Sequence, residues 1–244
     1  SYIAQSLNKT GHLSGLIIEQ RELHVPNPPE NIDDDLKLLF NLHFKKRHDA
    51  EEKFFKKINF PQVSNISVSK HELNSLKTIE FIKGINPDLI MSYGVHKLSE
   101  EVINACTGEA WNIHGGLSPW YRGVATHFWP SYFLEPQMTG MTIHDLTQDI
   151  DGGKIIHQNS ASLHKGDGIH DLACRAVKEL ADELKVLIEV LIKGDIVKQA
   201  IQERLDCFIT GEGSNHHFHE AIEGDCILIF AGHYATEMGG VKSV

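Results

Sequence analysis

Cysteine is scarce in this chain, with 4 among 244 residues. Cys106, Cys174, Cys207 and Cys226 are widely spaced, and no Cys-x-x-Cys pair occurs. They read as buried, reduced thiols of a cytoplasmic protein rather than as a disulfide framework. Positive charge is also short: 23 Lys and Arg stand against 33 Asp and Glu, a formal net charge of −10. That balance argues against a nucleic-acid partner, which needs clustered cations, but leaves room for a small anionic ligand. No uncharged apolar run approaches ~20 residues, so no membrane span is expected. The opening residues, SYIAQSLNKTGH, have no basic start followed by an apolar core, so no secretory signal is expected either. The glycine-rich phosphate motifs GxGxxG and GxxxxGK[ST] are missing, which removes the common dinucleotide and P-loop fingerprints.

What is present is ordinary for a chain able to bury a core: 41% hydrophobic and 23% charged residues. Strand-like runs alternate with helix-like ones. Leu13–Glu19, Val63–Val68, Asp88–Ser92, Ala110–His114, Met141–His144 and Ile155–His157 read as strands. Tyr2–Gly11, a stretch capped by Asp33, Leu73–Lys83, Leu98–Cys106 and Gly168–Ile192 read as helices. In the second helix, Leu36, Leu39, Phe40 and Phe44 recur at helical spacing and predict a buried face, with the Lys/Arg/Glu-rich stretch from Lys45 to Lys57 solvated. This alternation implies an α/β fold, Rossmann-like, with a mostly parallel sheet. A doubly wound domain opens on a strand and a glycine-bearing turn, whereas here a helix comes first.

Chemistry concentrates in WNIHGGLSPWYRG (Trp111–Gly123) and TGMTIHDLTQDIDGGKIIHQ (Thr139–Gln158). Asn112 and His114 lie two apart on a strand, so both side chains leave one face at the strand's carboxyl end. Asp151 stands at the tip of a second turn, Asp149-Ile150-Asp151-Gly152-Gly153. An amide, an imidazole and a carboxylate suit acyl transfer: a donor for a developing oxyanion, a proton carrier and an orienting charge. Ser118 precedes a proline and lacks the GxSxG elbow, so the attacking group is expected from a substrate amine. The same residues also fit plain capping and turn chemistry.

As whole motifs, these segments resemble the 10-formyltetrahydrofolate-dependent formyltransferases, the family of glycinamide ribonucleotide formyltransferase, methionyl-tRNA formyltransferase and the sugar-nucleotide N-formyltransferases. Asn112, His114, Tyr121-Arg122-Gly123, Thr139-Gly140, Thr142 and Asp151-Gly152-Gly153 carry the resemblance. It implies that Asn112, His114 and Asp151 are the catalytic trio. It also implies that Met91, Ser92, Tyr93, Gly94 and Val95, with the Asp145–Asp151 loop including Asp149, line the pterin pocket. Trp120, Tyr121 and Arg122 are candidates for binding the acceptor, a small primary amine such as an amino-sugar nucleotide. The family's opening strand and turn are absent, which leaves sheet edges open to instability or partner pairing, and a homo-oligomer is compatible with that.

Beyond about residue 200 the texture changes. Leu205–Thr210 and Cys226–Ala231 read as strands bracketing a His-rich helix, Asn215–Glu223, and His216, His217 and His219 do not complete an HExxH motif. Phe208–Glu212 (FITGE) and Ala231–Glu237 (AGHYATE) are similar to the closing part of a dinuclear-metal family, the type 2 homologues of GTP cyclohydrolase. That resemblance implies a divalent metal held by His233 and Glu237, and a metal-dependent phosphohydrolase as the competing function. The expected organisation is a formyltransferase-like domain over 1–199 and a βαβα fragment over 200–244.

Overall fold

The computed structural model describes residues 1–20, 26–193, 207–210 and 227–230. Two units divide the chain, Ser1–Glu183 and Leu184–Val244. The first opens on helix α1 (Tyr2–Asn8), strand β1 (Gly15–Glu19) and helix α2 (Asp34–Phe55). The Asp33 carboxylate caps α2 by accepting from the Leu36 N–H at 2.7 Å, and Asp34 and Asp35 complement the helix dipole. Strand β2 (Ser64–Val68) pairs with β1 in parallel to form a two-stranded sheet.

Helix α3 (Leu76–Ile85) ends on Asn86, whose left-handed φ of 50° turns the chain out of the helix. There follow β3 (Leu89–Tyr93), the short α4 (Glu100–Ile103) and β4 (Glu109–His114). After α5 (Trp129–Tyr132) and a 3₁₀ turn at Pro136–Met138 come β5 (Gly140–Asp145) and β6 (Ile155–Ser160). The second sheet has the order β3-β4-β5-β6, parallel at β3–β4 and antiparallel across β4–β5 and β5–β6. The expected α/β class is present, and the β5–β6 pairing is antiparallel because the connection between them is too brief for a helical crossover.

Helix α6 (Ile169–Lys193) buries Leu172, Ala176 and Leu180 at four-residue spacing. Its Ala176 carbonyl accepts from Asn159 Nδ2 at 3.2 Å, and Glu183 pairs with His157 at 2.7 Å, which ties it to β6. Ile82 of α3 with Val102, Ala105 and Cys106 forms a buried cluster against which Ile17 of β1 and Ile90 of β3 both pack. Cys106 and Cys174 are free and buried.

One expectation fails at α2. Leu36 and Leu39 are 48% and 60% exposed, as are Leu38 and Leu42 to similar extents, so the anticipated apolar face is not a core face along its first half. In the second unit, β7 (Cys207–Thr210) and β8 (Ile227–Phe230) pair in parallel, within the strands the sequence predicts. The anticipated Asn215–Glu223 helix lies outside the described residues.

Candidate active site

Sheet register assembles the site. Ser92 of β3 stands opposite Asn112 of β4, which stands opposite His144 of β5. Residues in register on one face are cross-strand neighbours, so three polar side chains form a row across the sheet. Ser92 Oγ donates to Asn112 Oδ1 at 2.6 Å, Asn112 Nδ2 donates to His144 Nε2 at 3.1 Å, and His144 Nδ1 donates to the Asp145 carbonyl at 2.8 Å. The backbone carbonyl fixes the proton on Nδ1 and leaves Nε2 as the acceptor, which orients the Asn112 amide. One N–H of Asn112 is left over.

Two residues along, a second row carries His114, Thr142 and Gln158. Thr142 Oγ1 donates to the Gly116 carbonyl at 2.6 Å and accepts from the Ser118 N–H at 3.0 Å and from Gln158 Nε2 at 2.9 Å. This staple folds the 115–123 loop back over His114, whose Nε2 donates to the Tyr121 carbonyl at 2.7 Å. Glycine is required at 116 because a Cβ there would sit 2.5 Å from that carbonyl and 2.8 Å from His114 Nε2.

Asp151 enters from the β5–β6 turn. Its φ of 47° is left-handed, and the chain behind it runs so close that a Cβ on Gly153 would sit 1.9 Å from the Asp145 carbonyl. Asp151 Oδ2 accepts from the Gly123 N–H at 2.9 Å and lies 3.3 Å from His114 Nδ1, while Oδ1 lies 3.6 Å from His144 Nε2. Its side chain is 12% exposed and that of His114 7%. Both ring nitrogens of His114 therefore face acceptors, the Tyr121 carbonyl on one side and the Asp151 carboxylate on the other. Nearby, His127 donates from Nε2 to the Gly140 carbonyl at 3.0 Å. Burial, with a further contribution from the charge of His114, pushes its ring down to about 4, so it is neutral near pH 7.

The structure thus brings Asn112, His114 and Asp151 together. Met91, Ser92 and Tyr93 end β3 beside Asn112, followed by Gly94 with a φ of 63° and Val95. The 146–151 turn carrying Asp149 leans on the same flank, where Gln148 Nε2 donates to the Leu98 carbonyl at 3.3 Å. Trp120 is 58% exposed, Tyr121 donates its hydroxyl to Glu135 Oε2 at 2.8 Å, and Arg122 is exposed without a partner among the described residues. These three, with Thr126, Trp129 and Phe133, line a cleft of about 310 Å³. His233 and Glu237 lie outside the described residues; among those described, no group of three or more His, Cys, Asp or Glu is placed to hold a metal ion. Sequence reasoning missed His144, Gln158 and His127. The alternation Thr142-x-His144 was a signal for the first, since it mirrors Asn112-x-His114 on the neighbouring strand.

An amide and an imidazole at the end of β4 and a carboxylate on the β5–β6 turn thus meet on one face of an α/β sheet. The family model described as formyl transferase matches residues 42–191, and the chain belongs to that family. A second model, Duf34/NIF3 (NGG1p interacting factor 3), matches residues 193–244. Over 96 residues the chain is 35% identical to the bifunctional polymyxin resistance protein ArnA of Wigglesworthia glossinidia brevipalpis, which covers 39% of this chain and 14% of that protein, so it spans a small part of that relative's length. The fold is that of phosphoribosylglycinamide formyltransferase from Anaplasma phagocytophilum, at a TM-score of 0.53 and 18% identity over 79% of this chain and 80% of that one. The Streptococcus pneumoniae TIGR4 phosphoribosylglycinamide formyltransferase also matches with a TM-score of 0.53, at 16% identity over 78% and 92%.

Proposed function

We propose that this protein transfers a formyl group from 10-formyltetrahydrofolate to a primary amine on a small substrate, with an amino-sugar nucleotide as the preferred acceptor. The carrying observation is the Asn112–His114–Asp151 cluster, beside which no described serine or cysteine has a base to activate it: the Ser92 hydroxyl is spent on the Asn112 amide oxygen. Ser118 is 1% exposed and its hydroxyl has no base beside it. Cys106 is buried, and burial pushes the Cys174 thiol up to about 12. The attacking group then belongs to the substrate.

The donor set suits the reaction. When bound, 10-formyltetrahydrofolate supplies an activated formyl group; the β3 end at 91–95 and the 146–151 turn are the segments to hold its pterin. The spare N–H of Asn112 meets the negative charge growing on the formyl oxygen, with His114 on the same face of the sheet. Losing one such donor costs roughly 2.7–4 kcal/mol of barrier. Asp151 holds the His114 ring and, through water, would receive the proton shed by the amine and return one to the folate nitrogen as its bond to the formyl carbon breaks. Aligning two bound reactants contributes about 7–11 kcal/mol. Trp120, Tyr121 and Arg122 border the acceptor, with Arg122 offering its guanidinium to an anionic group.

In this reading residues 1–199 act as the formyltransferase-like domain and 200–244 as a distinct fragment. Incubating the chain with 10-formyltetrahydrofolate and a panel of primary amines, including 4-amino-sugar nucleotides, should release tetrahydrofolate. Asp151→Asn should lower kcat at least 100-fold with an unchanged melting temperature; near-normal turnover in that variant overturns the assignment. The resemblance of Ala231–Glu237 to a dinuclear-metal family carries a separate reading, a divalent metal on His233 and Glu237. Elemental analysis of the purified chain and of His233→Ala tests it, and metal-free protein rejects it.

A further inference from the structure

All four leucines of helix α2 lie outside the fold: Leu36, Leu38, Leu39 and Leu42 are 48%, 67%, 60% and 43% exposed. At about 100° per residue, Asp35, Leu38, Leu42 and Lys45 fall along one line, at steps of three, four and three residues, with Leu39 and Lys46 beside it. The fold holds the helix by a different face. Phe40 and Phe44 are half-buried, and His43 meets Phe128 and His170 at ring distances of 6.0 and 4.6 Å. Charge along the outer line is divided, with Asp34 and Asp35 before the leucines and Lys45 and Lys46 after them. Asp35, Lys45 and Lys46 have no ion-pair partner among the described residues. The Asp34 carboxylate lies 3.2 Å from Lys37 Nζ, yet its side chain is 98% exposed.

We propose that this outer face of α2 pairs with the same face of a second copy of the chain, antiparallel about a twofold axis at the level of Phe40. Phe40 lies midway between Leu38 and Leu42, between Asp35 and Lys45, and between Asp34 and Lys46. An antiparallel partner therefore sets Leu38 against Leu42, Asp35 against Lys45 and Asp34 against Lys46, and the twofold repeats every pair. Parallel pairing would put aspartate on aspartate and lysine on lysine, so charge selects the antiparallel arrangement. The alternating steps of three and four are those of a helix-pair seam, along which the leucines of the two copies interdigitate. One helix pair buries less than a standard interface, so the dimer dissociates on dilution. Asn112, His114 and Asp151 all lie outside α2, and the dimer and the formyl-transfer reading stand or fall separately.

Sedimentation velocity on the full chain should show monomer giving way to dimer as concentration rises, and added salt should weaken that dimer. Two charge variants test the register. Asp34→Lys with Asp35→Lys leaves the face basic at both ends, and Lys45→Glu with Lys46→Glu leaves it acidic at both. Each alone should weaken dimerisation at least tenfold, while an equimolar mixture of the two should recover it as a heterodimer at least as tight as the original. Leu42→Glu should leave monomer with little change in melting temperature, because that side chain already meets solvent. A chain that stays monomeric at every concentration overturns the proposal and leaves the face to a different protein. A dimer that neither charge variant weakens overturns it in favour of another surface. Weakening by both variants without recovery in their mixture overturns the antiparallel pairing. None of these readouts involves turnover.

Discussion

The imidazole of His127, half-buried under the 115–123 loop and held down to about 4, gives single-residue control over acid sensitivity. In the unfolded chain the same ring takes up a proton near 6.5. Between those values the unfolded state binds the proton and the folded state does not, so stability falls as pH drops from 6.5 to 4 and levels off below that. The full difference is up to about 3 kcal/mol. His127→Leu should therefore narrow the gap between urea midpoints at pH 7 and pH 4.5. It should not abolish it, because burial lowers His43 and His170 in the same direction. An unchanged gap would mean that the ring is solvated in the folded protein. At this scale the sequence was legible where spacing carries the geometry: Asn112 and His114, two apart on one strand, had to share a face. His144 was not, because its place in the row comes from the offset of β5 against β4, which no local pattern records.

Elements repeat that division. Long periodic segments are found close to where the sequence places them, α6 at Ile169–Lys193 and β1 at Gly15–Glu19 among them. Shorter ones contract: the helix expected over Leu98–Cys106 survives as α4, four residues capped by Ser99, because Asn104 and Cys106 turn the chain toward β4. The start of α6 depends on a fork-to-fork pair, with Arg175 donating to the two Asp167 oxygens at 2.6 and 2.9 Å and to the Ser162 carbonyl at 2.6 Å. The guanidinium holds the Asp167 carboxyl down to about 2. A carboxylate depressed in the folded state contributes stability above its unfolded value near 3.8 and loses it as pH falls toward 2. Because the pair is partly screened by solvent, Asp167→Asn should cost about 1–2 kcal/mol at pH 7 and almost nothing at pH 2, read from chemical denaturation at the two pH values. An equal cost at both would assign the loss to the cap geometry rather than to charge.

Across the whole molecule, apolar surface lies where an amphipathic pattern had promised a core. Leu38 and Leu39 of α2 are 67% and 60% exposed, with Leu36 and Leu42 close by. Periodicity identified the helix but not what covers it, since a stripe of leucines looks the same in a sequence whether or not a neighbour packs on it. Leu38→Lys with Leu39→Lys should change the melting temperature little, within about 0.5 kcal/mol, while raising the concentration at which light scattering first detects association. A large drop in melting temperature would show that these leucines are packed in solution. Finally, the two polar rows depend on β4 and β5 keeping their offset, and inserting one residue between Thr142 and His144 would turn His144 to the opposite side of the sheet. The span from Val124 to Leu134 is exposed at both ends but anchored between them by Thr126 and His127, which hydrogen-bond to the Gly115 and Gly140 carbonyls. Descendants of this chain can lengthen or shorten its exposed ends and so diverge in the molecules they accept, while the reacting groups are inherited unaltered.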